Sequence, residues 1–154
     1  MDMSGEERIP ASKKVVWNAL NNANVLKKCI PGCETLEKNS PTEMVATVKV
    51  KVTLFTATFK ADIKLSNLNP QDSYTITWEG QGGIAGFAKG SSDVQLREDG
   101  EATVLTYQVK AEIGGKLAML GSKMIESSSK RIVSRFFARL NAVIAKRAAA
   151  KAEA

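Results

Sequence analysis

Chemistry at neutral pH needs a nucleophile, an acid or base of suitable pKa, or a metal, and this 154-residue chain is short of the usual suppliers. It has no histidine, which removes Ser-His-Asp and Cys-His catalysis and most zinc sites. Its two cysteines stand in Cys29-Ile-Pro-Gly-Cys33. Two thiolates cannot complete a tetrahedral metal site, and the spacing is not that of the Cys-x-x-Cys redox pair, so they read as structural, with a redox role as the alternative. The remaining general-base candidates are Asp62, Glu79, Asp93 and Glu112, most of which alternate onto the wet face of a strand. No catalytic residue, metal ligand or cofactor is assigned.

The elements that would position any site fall into two kinds. The last quarter of the chain, residues 116–144, repeats apolar residues three or four apart at Leu117, Leu120, Met124, Ile132, Phe136, Leu140 and Val143, which predicts one long amphipathic helix with Gly121 as a kink near its start. Before it, Ser12 offers an N-cap to a helix over residues 13–21, and a second helical turn over 24–29 stops ahead of Ile30-Pro31-Gly32.

The period is two elsewhere. Residues 3–9 form a short first strand. Met44, Ala46, Val48, Val50 and Val52 alternate with polar neighbours, followed by Ala57, Phe59, Ala61, Ile63 and Leu65, then Tyr74, Ile76 and Trp78. A glycine-rich stretch precedes a strand to Leu96, and Leu105, Tyr107, Val109, Ala111 and Ile113 make the last. Short turns between successive strands mean antiparallel pairing. The expected architecture is α+β: one strand, two short helices, about six more strands, and a long helix gripped by a curved sheet.

Where that helix should carry bulk it carries Ser127-Ser128-Ser129, and the strand after the glycines offers only Gly86, Ala88, Gly90 and Ser92 to one face. Small residues facing each other either pack closely or enclose a space. A strongly curved sheet cannot stay close to a straight helix along its whole length, which favours a cavity. Its lining is predicted from Ile30, Val50, Phe59, Ile76, Trp78 and Met124, with Ser128 at its border, so its ligand should be apolar.

Charge is segregated. Residues 116–154 hold nine basic and two acidic side chains, a net +7, leaving −1 for the remainder of a chain whose total is +6. Such a face is either solvated or drawn to anionic lipid. Nucleic acid is not an expected partner, because the Trp and Tyr residues fall in the apolar pattern instead of among the lysines. No stretch has the 18 consecutive apolar residues of a membrane span, and the amino terminus lacks the apolar segment of a secretory signal, so a cytoplasmic location is expected.

Five strings in order, Ile9-Pro-Ala-Ser-Lys-Lys-Val-Val-Trp17, Val25-Leu-Lys-Lys-Cys-Ile-Pro-Gly-Cys33-Glu, Ala57-Thr-Phe-Lys-Ala61, Gly80-Gln-Gly-Gly-Ile-Ala-Gly-Phe-Ala-Lys-Gly90 and Gly114-Gly-Lys-Leu-Ala118, resemble the carbon monoxide dehydrogenase CoxG family of the START-like (SRPBCC), helix-grip superfamily. The resemblance implies a seven-stranded sheet around the carboxy-terminal helix, with residues 1–147 as one ligand-binding domain and 148–154 as a short Ala/Lys tail, either the start of a linker or the helix end. It also implies a non-catalytic accessory protein that binds a hydrophobic small molecule, a quinone or a lipid. Its partner would be a molybdenum-containing dehydrogenase, with peripheral contact at the inner face of the membrane through the basic helix. On that reading Trp78, Phe59, Ile84, Phe87, Leu117, Leu120 and Met124 line or gate the pocket, and Gly82-Gly83 form its lid. A START-like cyclase or hydrolase, and a docking scaffold using the basic helix, are the competing readings.

Overall fold

The computed structural model describes residues 1–52 and 55–153, excluding the side chains of 52, 55 and 151–153. The expected inward placement of Val52 therefore lies outside the described residues. Strand β1 (Asp2–Ile9) leads to helices α1 (Lys13–Leu20) and α2 (Ala23–Cys29), then to β2 (Cys33–Ser40), β3 (Glu43–Val52), β4 (Phe55–Asn69), β5 (Ser73–Gln81), β6 (Phe87–Asp99) and β7 (Ala102–Gly114), and finally to helix α3 (Ser122–Glu153). Two short 3-10 segments, Gly83–Ala85 and Gly115–Leu120, sit before β6 and after β7.

All seven strands form one sheet in the order β1-β7-β6-β5-β4-β3-β2, antiparallel throughout. The first strand thus pairs with the last, and α1 and α2 carry the chain from one edge of the sheet to the other. Both helices start on side-chain caps: Ser12 Oγ accepts from the Val15 amide at 3.3 Å, and Asn22 Oδ1 accepts from the amides of Asn24 at 2.9 Å and Val25 at 3.2 Å.

Helix α3 differs from the expectation at its start. Residues 116–120 belong to a separate 3-10 segment, because Gly121 takes φ +87°, a left-handed conformation that ends the segment instead of bending a continuous helix. The new helix begins at Ser122 and runs through the alanine-rich end of the chain to Glu153. At about 1.5 Å per residue it is about 48 Å long.

The interior has two halves. In the packed half, Ile9, Val16, Val25, Cys29 and Leu140 are fully buried, and Phe137 and Ile144 of α3 meet Leu65, Tyr74, Val94, Leu96 and Leu105 of the sheet. Trp17 of α1 lies edge-on to Tyr74, ring centroids 5.2 Å apart.

The other half is built from small residues. The registers Ala46↔Ala61, Ala61↔Gly80 and Gly80↔Ala88 place three alanines and a glycine in one row across β3, β4, β5 and β6. Opposite them α3 presents Ser128 and Ser129. With no bulk from either side, sheet and helix cannot close on each other.

Candidate functional site

Those small residues line a cavity of about 440 Å³, bounded by Val48, Val50 and Phe59 at one side, Trp78, Val109, Ala111 and Ile113 along the sheet, and Ile125, Ile132 and Val133 from α3. A second lobe of about 260 Å³ extends toward the packed half past Ile76, Leu105, Tyr107 and Phe136. The lobes share Ile30, Ile63, Ser92, Val109, Ile132 and Val133, so they adjoin each other.

The walls carry no acidic or basic side chain among the described residues. Polar groups in the larger lobe come from Ser92, Ser128, Ser129 and the Trp78 indole. Ser129 Oγ donates to the Ile125 carbonyl at 2.7 Å and is already engaged. A space of this volume corresponds to roughly fifteen waters of bulk liquid, and water in an apolar cavity lacks the two to four polar partners it needs. The walls therefore favour an apolar occupant.

Seven of the predicted residues come together in the larger lobe: Ile30, Val50, Phe59, Trp78, Leu117, Leu120 and Ser128. Ile76 lines the smaller lobe. Five do not line the cavity, each for a local reason.

Met124 is displaced by the break at Gly121, because the phase of α3 is then set by the packed residues downstream. At about 100° per residue Met124 lies about 160° from Leu140, whereas Ile125 lies about 60° from it. Ile125 accordingly lines the wall and Met124 is 38% exposed. Phe87 has the opposite parity to Ala88, and its ring packs over Gly114 while Ala88 faces the cavity. Gly82 sits against the Phe59 ring, where a Cβ would meet Cε1 at 2.6 Å. Gly83 begins the first 3-10 segment and has open space around it. A single turn points one residue inward, and that residue is Ala85, packed with Phe59 and Leu117, leaving Ile84 90% exposed. The glycine segment thus lies beside the Phe59 wall of the cavity, with Ile84 turned outward.

Met1 and Met3 also line the wall, from β1, and no local sequence pattern pointed to them. Their signal lay in the pairing: the register Met3↔Val109 puts Met3 beside a residue of the inner face.

The acid–base candidates stay outside. Asp62, Glu79, Asp93 and Glu112 are exposed on the outer face, Glu112 within 3.7 Å of Lys89 and Asp93 accepting from Thr75 Oγ1 at 2.8 Å. Burial pushes the Cys29 thiol up, against weaker opposing pulls from Arg139, Lys28 and Arg147. Burial does the same for Cys33, with Lys27 opposing, and Cys33 Sγ donates to the Thr35 carbonyl at 3.3 Å, which also favours the protonated form. Both cysteines are free, and a raised pKa makes a thiol a poor nucleophile at neutral pH. Iodoacetamide labelling of Cys33 should therefore be slow at pH 7 and keep accelerating beyond about pH 8.5, the ordinary cysteine value. A labelling rate already at its plateau by neutral pH would show an activated thiolate instead. Among the described residues no three His, Cys, Asp or Glu side chains cluster to hold a metal, and no helix is long and apolar enough to cross a membrane.

The family model for CoxG, the G component of carbon monoxide dehydrogenase, matches residues 5–145. The chain belongs to that family. It superposes on a conserved protein from Geobacillus kaustophilus with 29% identity and a TM-score of 0.89, covering 95% of this chain and 96% of that one. A START superfamily protein from Mycobacterium smegmatis shares 12% identity at a TM-score of 0.72, over 94% and 97% of the two chains. An aromatase/cyclase from Streptomyces sp. R1128 shares 15% at 0.66, over 96% and 95%. The last two likenesses speak to the fold, which is START-like. No curated protein matches the chain significantly. Family and fold together support an accessory role built on ligand binding.

Proposed function

We propose that this CoxG-family chain is a non-catalytic carrier that takes up a lipophilic small molecule, a quinone or a lipid-like compound, between its sheet and α3, and serves a molybdenum-containing dehydrogenase of the carbon monoxide dehydrogenase type. The observation that carries the proposal is the apolar cavity between sheet and α3, whose larger lobe of about 440 Å³ falls in the size range of small-molecule sites. The family model supports the link to the dehydrogenase. A ligand with one or two polar atoms suits the walls best, since Ser92 and Ser128 offer hydroxyls within an otherwise apolar surface. The cyclase reading has less support, because the walls present no carboxylate or cationic side chain, and burial holds the Tyr74 and Tyr107 phenols of the smaller lobe protonated.

A docking scaffold is the second reading, favoured by one observation: Lys123, Arg131, Arg135, Arg139, Lys146 and Arg147 are all exposed on α3. Such a face suits an acidic protein or an anionic surface.

The two tryptophans separate the readings by experiment, because Trp78 lines the cavity and Trp17 sits in the packed half. In a Trp17→Phe variant, a soluble short-chain naphthoquinone should quench the Trp78 emission saturably at one molecule per chain. A linear, unsaturable response to that quinone, to a benzoquinone and to a spin-labelled fatty acid alike would remove the carrier reading and leave the scaffold.

A further inference from the structure

Ser92 of β6 lies where the two lobes adjoin, since it lines both. Its partners across the sheet are Ile76 of β5 and Val109 of β7, so its hydroxyl stands alone in an apolar stretch of wall. The next inward position on the same strand is Gly90, which pairs with Trp78. The indole of Trp78 lies over this glycine: a Cβ at residue 90 would meet Cζ2 at 2.8 Å. Gly90 thus leaves room for the indole, and the indole comes to lie beside Ser92, two residues or about 7 Å along the strand.

Neither the Ser92 hydroxyl nor the Trp78 N–H has a hydrogen-bond partner among the described residues. Polar groups turned to the interior of a protein are normally paired. Ser128, on α3 across the larger lobe, has less need of a partner from outside, because a helical serine can return its hydroxyl to the carbonyl four residues back, as Ser129 does to Ile125. An extended strand offers Ser92 no carbonyl at that place, and the indole N–H can only donate. Together they call for an acceptor that the chain does not supply.

We infer that Ser92 and Trp78 form the oxygen-binding subsite of the cavity, donating to a neutral carbonyl oxygen in the middle of the ligand, whose apolar parts extend into both lobes. The inference rests on the carrier reading and narrows it: the ligand is a ring ketone of the quinone kind, not a fatty acid or a hydrocarbon. A carboxylate at Ser92 would be buried with no cation on the walls to offset its lost hydration. A hydrocarbon would leave both donors unpaired.

The test compares a dimethylated naphthoquinone, whose blocked ring carbons cannot add a thiol, with the dimethylnaphthalene of the same shape, by equilibrium dialysis against the full chain. Wild type should bind both. Ser92→Ala should lower the quinone affinity about fivefold to tenfold, as for one lost hydrogen bond, and leave the hydrocarbon within about twofold. Ser92→Thr, which keeps the hydroxyl, should bring the quinone back to within about threefold of wild type. Trp78→Phe should cost the quinone at least about threefold more than it costs the hydrocarbon, and Ser128→Ala should cost the quinone less than Ser92→Ala does. In infrared difference spectra the carbonyl stretch of the bound quinone should lie below its position in hexane and move back toward it in Ser92→Ala. That variant should keep the wild-type melting temperature, since the hydroxyl it removes has no partner within the chain. Equal losses of quinone and hydrocarbon in Ser92→Ala, a quinone affinity that Ser92→Ala does not change, or a larger loss in Ser128→Ala would each overturn the inference while leaving the carrier reading in place. Wild type that binds neither probe would remove both.

Discussion

Replacing Ala61 by phenylalanine should lower the affinity for a naphthoquinone by about a hundredfold or more while leaving the protein folded. Ala61 stands in the middle of the row Ala46, Ala61, Gly80 and Ala88, so its neighbours on both adjacent strands are small and its side chain faces the larger lobe. A benzyl group there enters open space, which avoids the roughly 1–3 kcal/mol of strain that overpacking a filled core brings. It occupies the volume a ligand ring would need, and a loss of about 2.7 kcal/mol corresponds to a hundredfold. Differential scanning calorimetry supplies the second half of the prediction. Quinone at about a hundred times its dissociation constant should raise the wild-type melting temperature by about 5–10 °C, from about 2.7 kcal/mol of linkage, and should not move that of Ala61→Phe. Equal quinone affinity in the two proteins would place the ligand elsewhere.

The largest effect on stability is expected at the opposite end of the interior. Leu140→Ala should destabilise the protein by about 3–5 kcal/mol, the cost of removing buried methyl groups and leaving a cavity, and lower its melting temperature by about 10 °C. Leu140 is fully buried, and it belongs to the cluster that joins α3 to α1, α2 and the sheet through Val16, Val25 and Leu105. Urea denaturation reads the change directly. Because Leu140 itself lines neither lobe, the binding constant of the folded variant should stay within a few-fold of wild type. A loss of less than about 1 kcal/mol would mean that α3 is held mainly by other contacts.

How much of this could be read from residues alone depends on what carried the signal. The alternation at Met44, Ala46, Val48 and Val50 identified β3 and its inner face because a period of two is a local property. The serines at 127–129 located the hollow half because their place in a long apolar stripe is also local. The row Ala46, Ala61, Gly80 and Ala88 was not legible, since each residue is ordinary in its own strand and the row exists only once the registers are set.

Met124 and Ile125 differ by one position, and choosing between them required knowing that Gly121 restarts the helix instead of kinking it. Phe87 is expected at the pocket although the alternation of Gly86, Ala88, Gly90 and Ser92 puts it on the opposite face, and the structure follows the alternation. Ile84 is expected to line or gate the pocket, but a single 3-10 turn has room for one inward residue and Ala85 fills it. Met1 and Met3 pair with the last strand, a contact between distant parts of the sequence that no local pattern announces.

The most direct test of a ligand carried between sheet and helix is mass spectrometry of an organic extract from protein purified without detergent from its native host, with Ala61→Phe purified in parallel. A quinone or lipid in near-stoichiometric amount from wild type, and absent from the variant, is the predicted result. A wild-type extract that is empty, and stays empty after incubation with membrane lipids and quinones, would contradict it.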